Sequence, residues 1–340
     1  MNTTILNRIG VVVYDLDAAV RSYEKIYGIT SWERGTHAPE DGISYGRHNT
    51  ETPGRWASAV GSNENLTFEL IQPLSGESPF NEHLRTKREG ICFIQVAVPE
   101  LANDAAITHH FAELGIRQAY SATVDGTQRR FYDTRTELGG FMVEMVSEQR
   151  PMGGGASADA LLPTEGIYHF GVLVHDVMAT LEHYRAIFGI QRYEMKTWET
   201  GAGRLDRSQY RGEPVDHGYF TAQGTCSNFA FEIIECNHGP SHYNREFFDI
   251  RGPGIHHVFT TMTTDSAEWD RIIHTAAAAG YELCMGSPLR GNAAEFGYLD
   301  TFDDLGGYLV EIVVRRRTPD PAYASPDWVI DYSTQLEKEC

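Results

Sequence analysis

The 340-residue chain carries 28 basic and 47 acidic residues, a formal net charge of −19, with 41% apolar and 11% aromatic residues. That balance leaves no basic face to neutralise phosphates, so nucleic acid and anionic membrane surfaces are excluded as expected partners. The length suits two globular domains of ordinary size, and the composition excludes a disordered chain.

The N-terminal MNTTILNRIG lacks a basic segment followed by an apolar one, and no apolar run approaches the ~20 residues that span a bilayer. Cys92, Cys226, Cys236, Cys284 and Cys340 are odd in number and form no CxxC pair. A disulfide framework is therefore not expected, and the reducing cytoplasm is the default compartment.

Residues 5–15, ILNRIGVVVYD, predict a buried strand, and DAAVRSYEKIYG predicts an amphipathic helix after it. Shorter strands separated by Gly and polar turns follow, among them LTFELIQ with Glu69. FIQVAVPELANDAAITHHFAELGI repeats the strand-then-helix order, and FYDTRTELGGFMVEMV closes this half at Glu144. RPMGGGASADALLPTEG, rich in Gly, Ala and Pro, then predicts a linker.

After the linker the chain starts again. GIYHFGVLVHD and its following helix align without gaps on residues 5–28: Gly10 matches Gly171, Asp15 matches Asp176 and Gly28 matches Gly189, at an offset of 161. NFAFEIIE with Glu232 answers LTFELIQ, and GIHHVFTTM answers GICFIQVAV. YLDTFDDLGGYLVEIVV with Glu311 answers the segment ending at Glu144, at an offset of 167. A long internal repeat of this kind decides the architecture. The expectation is an α+β chain of four βαβββ modules, two per half. Its parts are an N-terminal two-module domain over 1–150, a linker over 151–165, a C-terminal two-module domain over 166–317 and a tail over 318–340.

His169 opens the first strand of the second half and His257 the first strand of the next module, while Glu232 and Glu311 lie inside apolar strands. A pseudo-twofold axis between modules would bring all four to one point. A carboxylate buried in an apolar strand is costly unless paired. Two imidazoles and two carboxylates suit one borderline divalent ion: Ni²⁺, Co²⁺, Zn²⁺, Mn²⁺ or Fe²⁺. In the first half the histidine positions hold Arg8 and Phe93, while Glu69 and Glu144 remain. Phenylalanine cannot ligate and arginine stays protonated, so that half is expected to hold no metal, and the site is expected within the second half.

These strands, with FELIQPLSGESPFNEHL and DLGGYLVEIV, resemble the vicinal oxygen chelate superfamily, which includes glyoxalase I, methylmalonyl-CoA epimerase, extradiol dioxygenases and hydroxyphenylpyruvate dioxygenase. The resemblance covers the chain to about residue 317. It implies two tandem glyoxalase-like domains, each a curved, mostly antiparallel sheet with helices outside, and metal ligands at His169, Glu232, His257 and Glu311. It further implies a small-molecule substrate whose adjacent oxygens the ion chelates. The wording lies closest to the epimerase, which points to a lyase or isomerase that removes a proton beside a metal-bound carbonyl. Glu311 or Glu232 would act as base, and Glu199 in KTWETGAG lies near a second epimerase glutamate, although a solvated loop carboxylate is its plainer reading. The alternative is an Fe(II) dioxygenase using His169, His257 and Glu311, with Tyr298 and His242 as acid or base groups beside the ion. A metal-free binding protein is the third reading. A homodimer is the default assembly. His109, His110 and His183 fall on helices and read as surface residues.

Overall fold

Asp15 and Asp176 recur because each caps a helix. Their side chains accept from the Ala18 and Ala179 amides, opening the helices Leu16–Tyr27 and Val177–Phe188. Gly28 and Gly189 follow those helices with φ of 67° and 77°, the left-handed conformation that ends a helix at little cost only in glycine. The repeat is thus written first in caps.

The structure is a computed structural model and describes residues 3–38, 43–44, 54–124, 126–150, 154–162, 164–201, 204–289 and 291–333. Parts of the expected linker and tail, and Cys340, lie outside them. The chain divides into two compact units. One comprises Met1–Ala160 with Ala186–Gly189 and Asp303–Gly307, and the other comprises Leu161–Arg185, Ile190–Phe302 and Tyr308–Cys340. Within the first unit, Ala156 of the expected linker is bridged to Ile29, and the Ser157 amide donates to the Gly28 carbonyl.

Each unit is built on one curled sheet, of nine strands in the first and eleven in the second among the described residues. The modules follow the expected order, strand, helix, then three longer strands, with short two-residue strands added. In the first unit Ile5–Val12 and Gly90–Ala97 pair antiparallel at the sheet centre, flanked in parallel by Thr67–Ser75 and Met142–Val146. In the second unit His169–Leu173 and Gly254–Thr263 take the central places, flanked by Ala230–His238 and Leu309–Arg315. The remaining pairings are antiparallel. Part of the tail, Trp328–Asp331, pairs with Arg192–Glu199 and forms that edge of the sheet.

Both central pairs carry a bulge at the same place. Gly171 faces His257 while Val172 faces Ile255, so His256 is the extra residue; Cys92 is its counterpart in the first unit. A bulge bends the strand and re-aims its side chains. Gly171 also makes room, because a Cβ there would lie 1.9 Å from the His257 ring, as one at Gly10 would from Phe93.

Candidate metal centre

Glu311, His257, His169 and Glu232 sit on four neighbouring strands of the second unit, in that order across the sheet. The register brings their ends together. His169 Nε2 lies 2.9 Å from Glu311 Oε2 and 3.5 Å from Glu232 Oε2. His257 Nε2 lies 3.4 Å and 3.7 Å from the same two atoms. The two Nε2 atoms are 3.2 Å apart. Donor atoms about 2.1 Å from a shared ion stand about 3.0–3.4 Å from one another at octahedral or tetrahedral angles, so this spacing fits. His169, His257 and Glu311 place their ligand atoms within 4.8 Å of one another, and Glu232 Oε2 comes close to the two imidazoles of that set.

The group is nearly dry: His257 is fully buried, and the other three are 6–8% exposed. Glu311 Oε2 is buried without a hydrogen bond of proper geometry, although it faces both imidazoles. A buried acceptor left unsatisfied is costly, and a divalent ion at the meeting point would satisfy all these lone pairs together. The donor set therefore fits a borderline divalent metal.

Without an ion the four groups titrate against each other. Burial would lower the His169 pKa, but Glu232 and Glu311 raise it on balance. His257 is lowered, chiefly by burial. Burial would raise Glu311, yet the two imidazoles hold it low, while burial together with Glu311 raises Glu232. One carboxylate is thus kept ionised and the other is pushed toward its neutral acid.

Aromatic residues wall the site. The His169 ring meets Phe259 edge-on at 5.1 Å, and Tyr298 lies 4.7 Å from the His257 ring. Tyr298 and Tyr243 share a 2.5 Å hydroxyl hydrogen bond, and burial raises both phenols far above their ordinary pKa, so they stay protonated. Lys196, half-buried on Arg192–Glu199, is lowered by burial and interacts with Glu232.

Glu199 is not brought to this group. Its Oε2 lies 2.7 Å from His238 Nε2 at a part-exposed surface. His242 and Tyr298, expected as acid or base groups beside the ion, are both buried beside the site. His256, Tyr243 and Lys196 were not singled out from the sequence. The doubled histidine of GIHHV was the available signal for the first; the other two had none beyond residue type. A second cluster of His242, Cys284 and Asp300 also lies within 4.8 Å, but the Arg211 guanidinium binds Asp300 there. The four described cysteines are free, and no helix among the described residues is long and apolar enough to cross a membrane.

In the first unit the equivalent place holds no ligand quartet. Arg129, on Thr127–Tyr132, reaches into it and is clasped from both sides. Its Nε and Nη2 donate to Glu144 at 2.7 Å each, and its Nη1 and Nη2 donate to Glu69 at 2.7 and 3.0 Å. Arg8 adds a 2.7 Å contact to Glu69, and Gln95 donates to Glu144 at 2.8 Å. Burial would raise Glu69, but Arg129 and Arg8 hold it down at about 2.

No family model matches the sequence, and no curated protein matches it. Among solved structures, a mutant of 4-hydroxymandelate synthase from Streptomyces coelicolor superposes with a TM-score of 0.65 at 13% identity, covering 99% of this chain and 100% of that one. A xylose isomerase-like TIM barrel/4-hydroxyphenylpyruvate dioxygenase fusion protein gives a TM-score of 0.49 at 10% identity, over 93% of this chain and 49% of the other. The first of these likenesses establishes the architecture: the chain has a tandem glyoxalase-like α+β fold. The likeness extends from end to end, at the level of fold.

Proposed function

We propose that this chain is an Fe(II)-dependent dioxygenase acting on a small oxygenated, aromatic metabolite. The observation that carries the reading is the triad of His169, His257 and Glu311, whose ligand atoms are mutually close, with Glu232 Oε2 as a fourth group 3.5 and 3.7 Å from the two imidazoles. Two imidazoles and one carboxylate form the donor set that leaves positions for both oxygen and substrate. When bound, the ion would supply oxygen activation and Lewis-acid polarisation of a substrate oxygen. The chain's own part is positional. Phe259, Tyr243 and Tyr298 keep the surroundings apolar and offer ring faces, Lys196 offers a charge to an acidic substrate group, and the burial of all four polar residues keeps bulk water away. The fold neighbour 4-hydroxymandelate synthase is named for an aromatic hydroxy acid, which supports that substrate class. The reading extends to a homodimer in the cytoplasm, with the metal held within residues 166–317; light scattering checks the dimer.

A second reading, a lyase or isomerase that abstracts a proton beside a chelated carbonyl, is favoured by Glu232 itself. Its carboxyl lies 3.5 and 3.7 Å from the two imidazoles, and burial together with Glu311 raises its pKa, which suits a group that takes up and returns a proton. One experiment separates the two. Iron(II)-loaded protein is given a panel of aromatic 2-oxo acids and catechols in deuterated buffer, with oxygen uptake followed. Substrate-dependent oxygen uptake retained in Glu232→Gln supports the dioxygenase. Deuterium entering the substrate without oxygen uptake, and lost in Glu232→Gln, transfers the assignment to the lyase or isomerase.

A further inference from the structure

The side of His257 that faces away from the metal centre does not end in a carbonyl, a carboxylate or solvent. His257 Nδ1 lies 3.0 Å from Nδ1 of His256, the bulge residue. His256 Nε2 lies 2.9 Å from Nδ1 of His242. His242 Nε2, fully buried and without a hydrogen bond, lies 3.6 Å from Glu246 Oε2. Glu246 is held in turn by Tyr210, which donates at 2.6 Å, and by Arg211. Three buried imidazoles therefore run in series from the metal centre to a part-exposed carboxylate. His242 and Glu246 are supplied by one π-helical turn, Tyr243–Phe248, and the residue before it.

We propose that His256 and His242 are positioning residues for the metal centre, a two-imidazole relay that anchors the ligand His257 on Glu246. The inference rests on metal binding through His257 Nε2. If that nitrogen ligates, the proton of neutral His257 must sit on Nδ1 and is donated to His256 Nδ1. His256 then carries its proton on Nε2 and donates it to His242 Nδ1. His242 in turn carries its proton on Nε2, aimed at the Glu246 carboxylate. A single choice at the metal fixes every tautomer in the row. A ligand histidine whose second nitrogen donates to a fixed acceptor is held in orientation and made more basic, and loss of such a partner typically costs 10–100-fold in metal affinity. Here the partner carboxylate acts across two interposed rings.

The test uses the full chain with zinc as a diamagnetic probe. In ¹⁵N-histidine-labelled, zinc-loaded protein, His256 and His242 are expected as Nε2–H tautomers. His242→Leu, which removes the acceptor, is expected to weaken zinc about 10–100-fold in a chelator competition. His242→Asn keeps an amide oxygen near the place of Nδ1 and is expected to recover most of that loss. An Nδ1–H tautomer at His256, or His242→Leu binding zinc as tightly as wild type, overturns the relay and leaves the metal centre standing. A second zinc per chain, lost with Cys284→Ser, also overturns it, because His242 Nε2 would then be a ligand. Wild-type protein that binds no zinc overturns the metal reading, and the relay with it. If His242→Leu does not fold, the wild-type tautomers and the Asn variant still decide.

Discussion

The two units solve one electrostatic problem in two ways. Both keep a pair of carboxylates buried at equivalent strand positions, Glu69 with Glu144 and Glu232 with Glu311. In the first unit two guanidiniums, Arg8 and Arg129, bring two positive charges, and every carboxylate oxygen finds an N–H. In the second, two imidazoles that are neutral when they ligate leave the negative charge for an ion of the same total charge to balance. Bidentate guanidinium pairing is a closed arrangement in which no acceptor remains for a substrate. The quartet is open, because Glu311 Oε2 is left buried without a well-formed hydrogen bond and can accept a group brought from outside. The difference teaches that a buried carboxylate pair in this fold needs compensating charge, which the first unit supplies from within the chain through Arg8 and Arg129.

The largest effect is expected from Arg129→Met, which strands two buried carboxylates. Urea denaturation should show a loss of about 3–5 kcal/mol, the usual cost of breaking a buried ion pair. A loss below about 1 kcal/mol would break the analogy between guanidinium and ion. Next comes His257→Ala, for which zinc or iron affinity should fall at least about 100-fold, while Arg8→Ala keeps the metal content of wild type in elemental analysis. Metal lost equally in both would place the ion elsewhere.

Low pH sharpens the comparison through Glu69. Its carboxyl is held at about 2, below the ordinary 4.5, so its contribution is fully present above about 4.5 and disappears as pH falls toward 2. The shift corresponds to about 3 kcal/mol. Glu69→Gln, starting from a lower stability at neutral pH, should therefore lose less than wild type between pH 5 and 2.5 in chemical denaturation. Parallel curves would show that the pair contributes no such linkage. The smallest effects are expected at the paired glycines. Gly171→Ala and Gly10→Ala should each cost about 1–3 kcal/mol by pushing against a buried ring. Only Gly171→Ala, which moves His257, should also weaken metal binding; an equal change in both would detach the glycine from the metal centre.

Much of this was legible in the sequence because the repeat supplied it. Caps at fixed offsets and glycines after the helices forecast the modules. The four residues His169, Glu232, His257 and Glu311 stand together in the structure because paired β-strands translate sequence register directly into proximity. Glu199 illustrates the limit. Its candidacy came from resemblance to an epimerase loop, and the structure gives its carboxylate to His238 instead. Arg129 shows another. TQRRFYDT offers two adjacent arginines, and nothing local says that one is buried under Phe93 and Phe131 while its neighbour Arg130 pairs with Asp104 near the surface.

By itself, the sequence determined the modules, their order, and the residue types available at each central strand, because caps, turns and period-two patterning are local properties. Only the tertiary structure decided what those residues meet. Whether a carboxylate faces an imidazole or a guanidinium depends on other strands of the sheet: the strand of Arg129 lies next to that of Glu144 and four places from that of Glu69. Whether His256 points outward or along a row of imidazoles depends on a bulge that exists only when two strands pair. Those are long-range choices, settled by the register of the folded sheet.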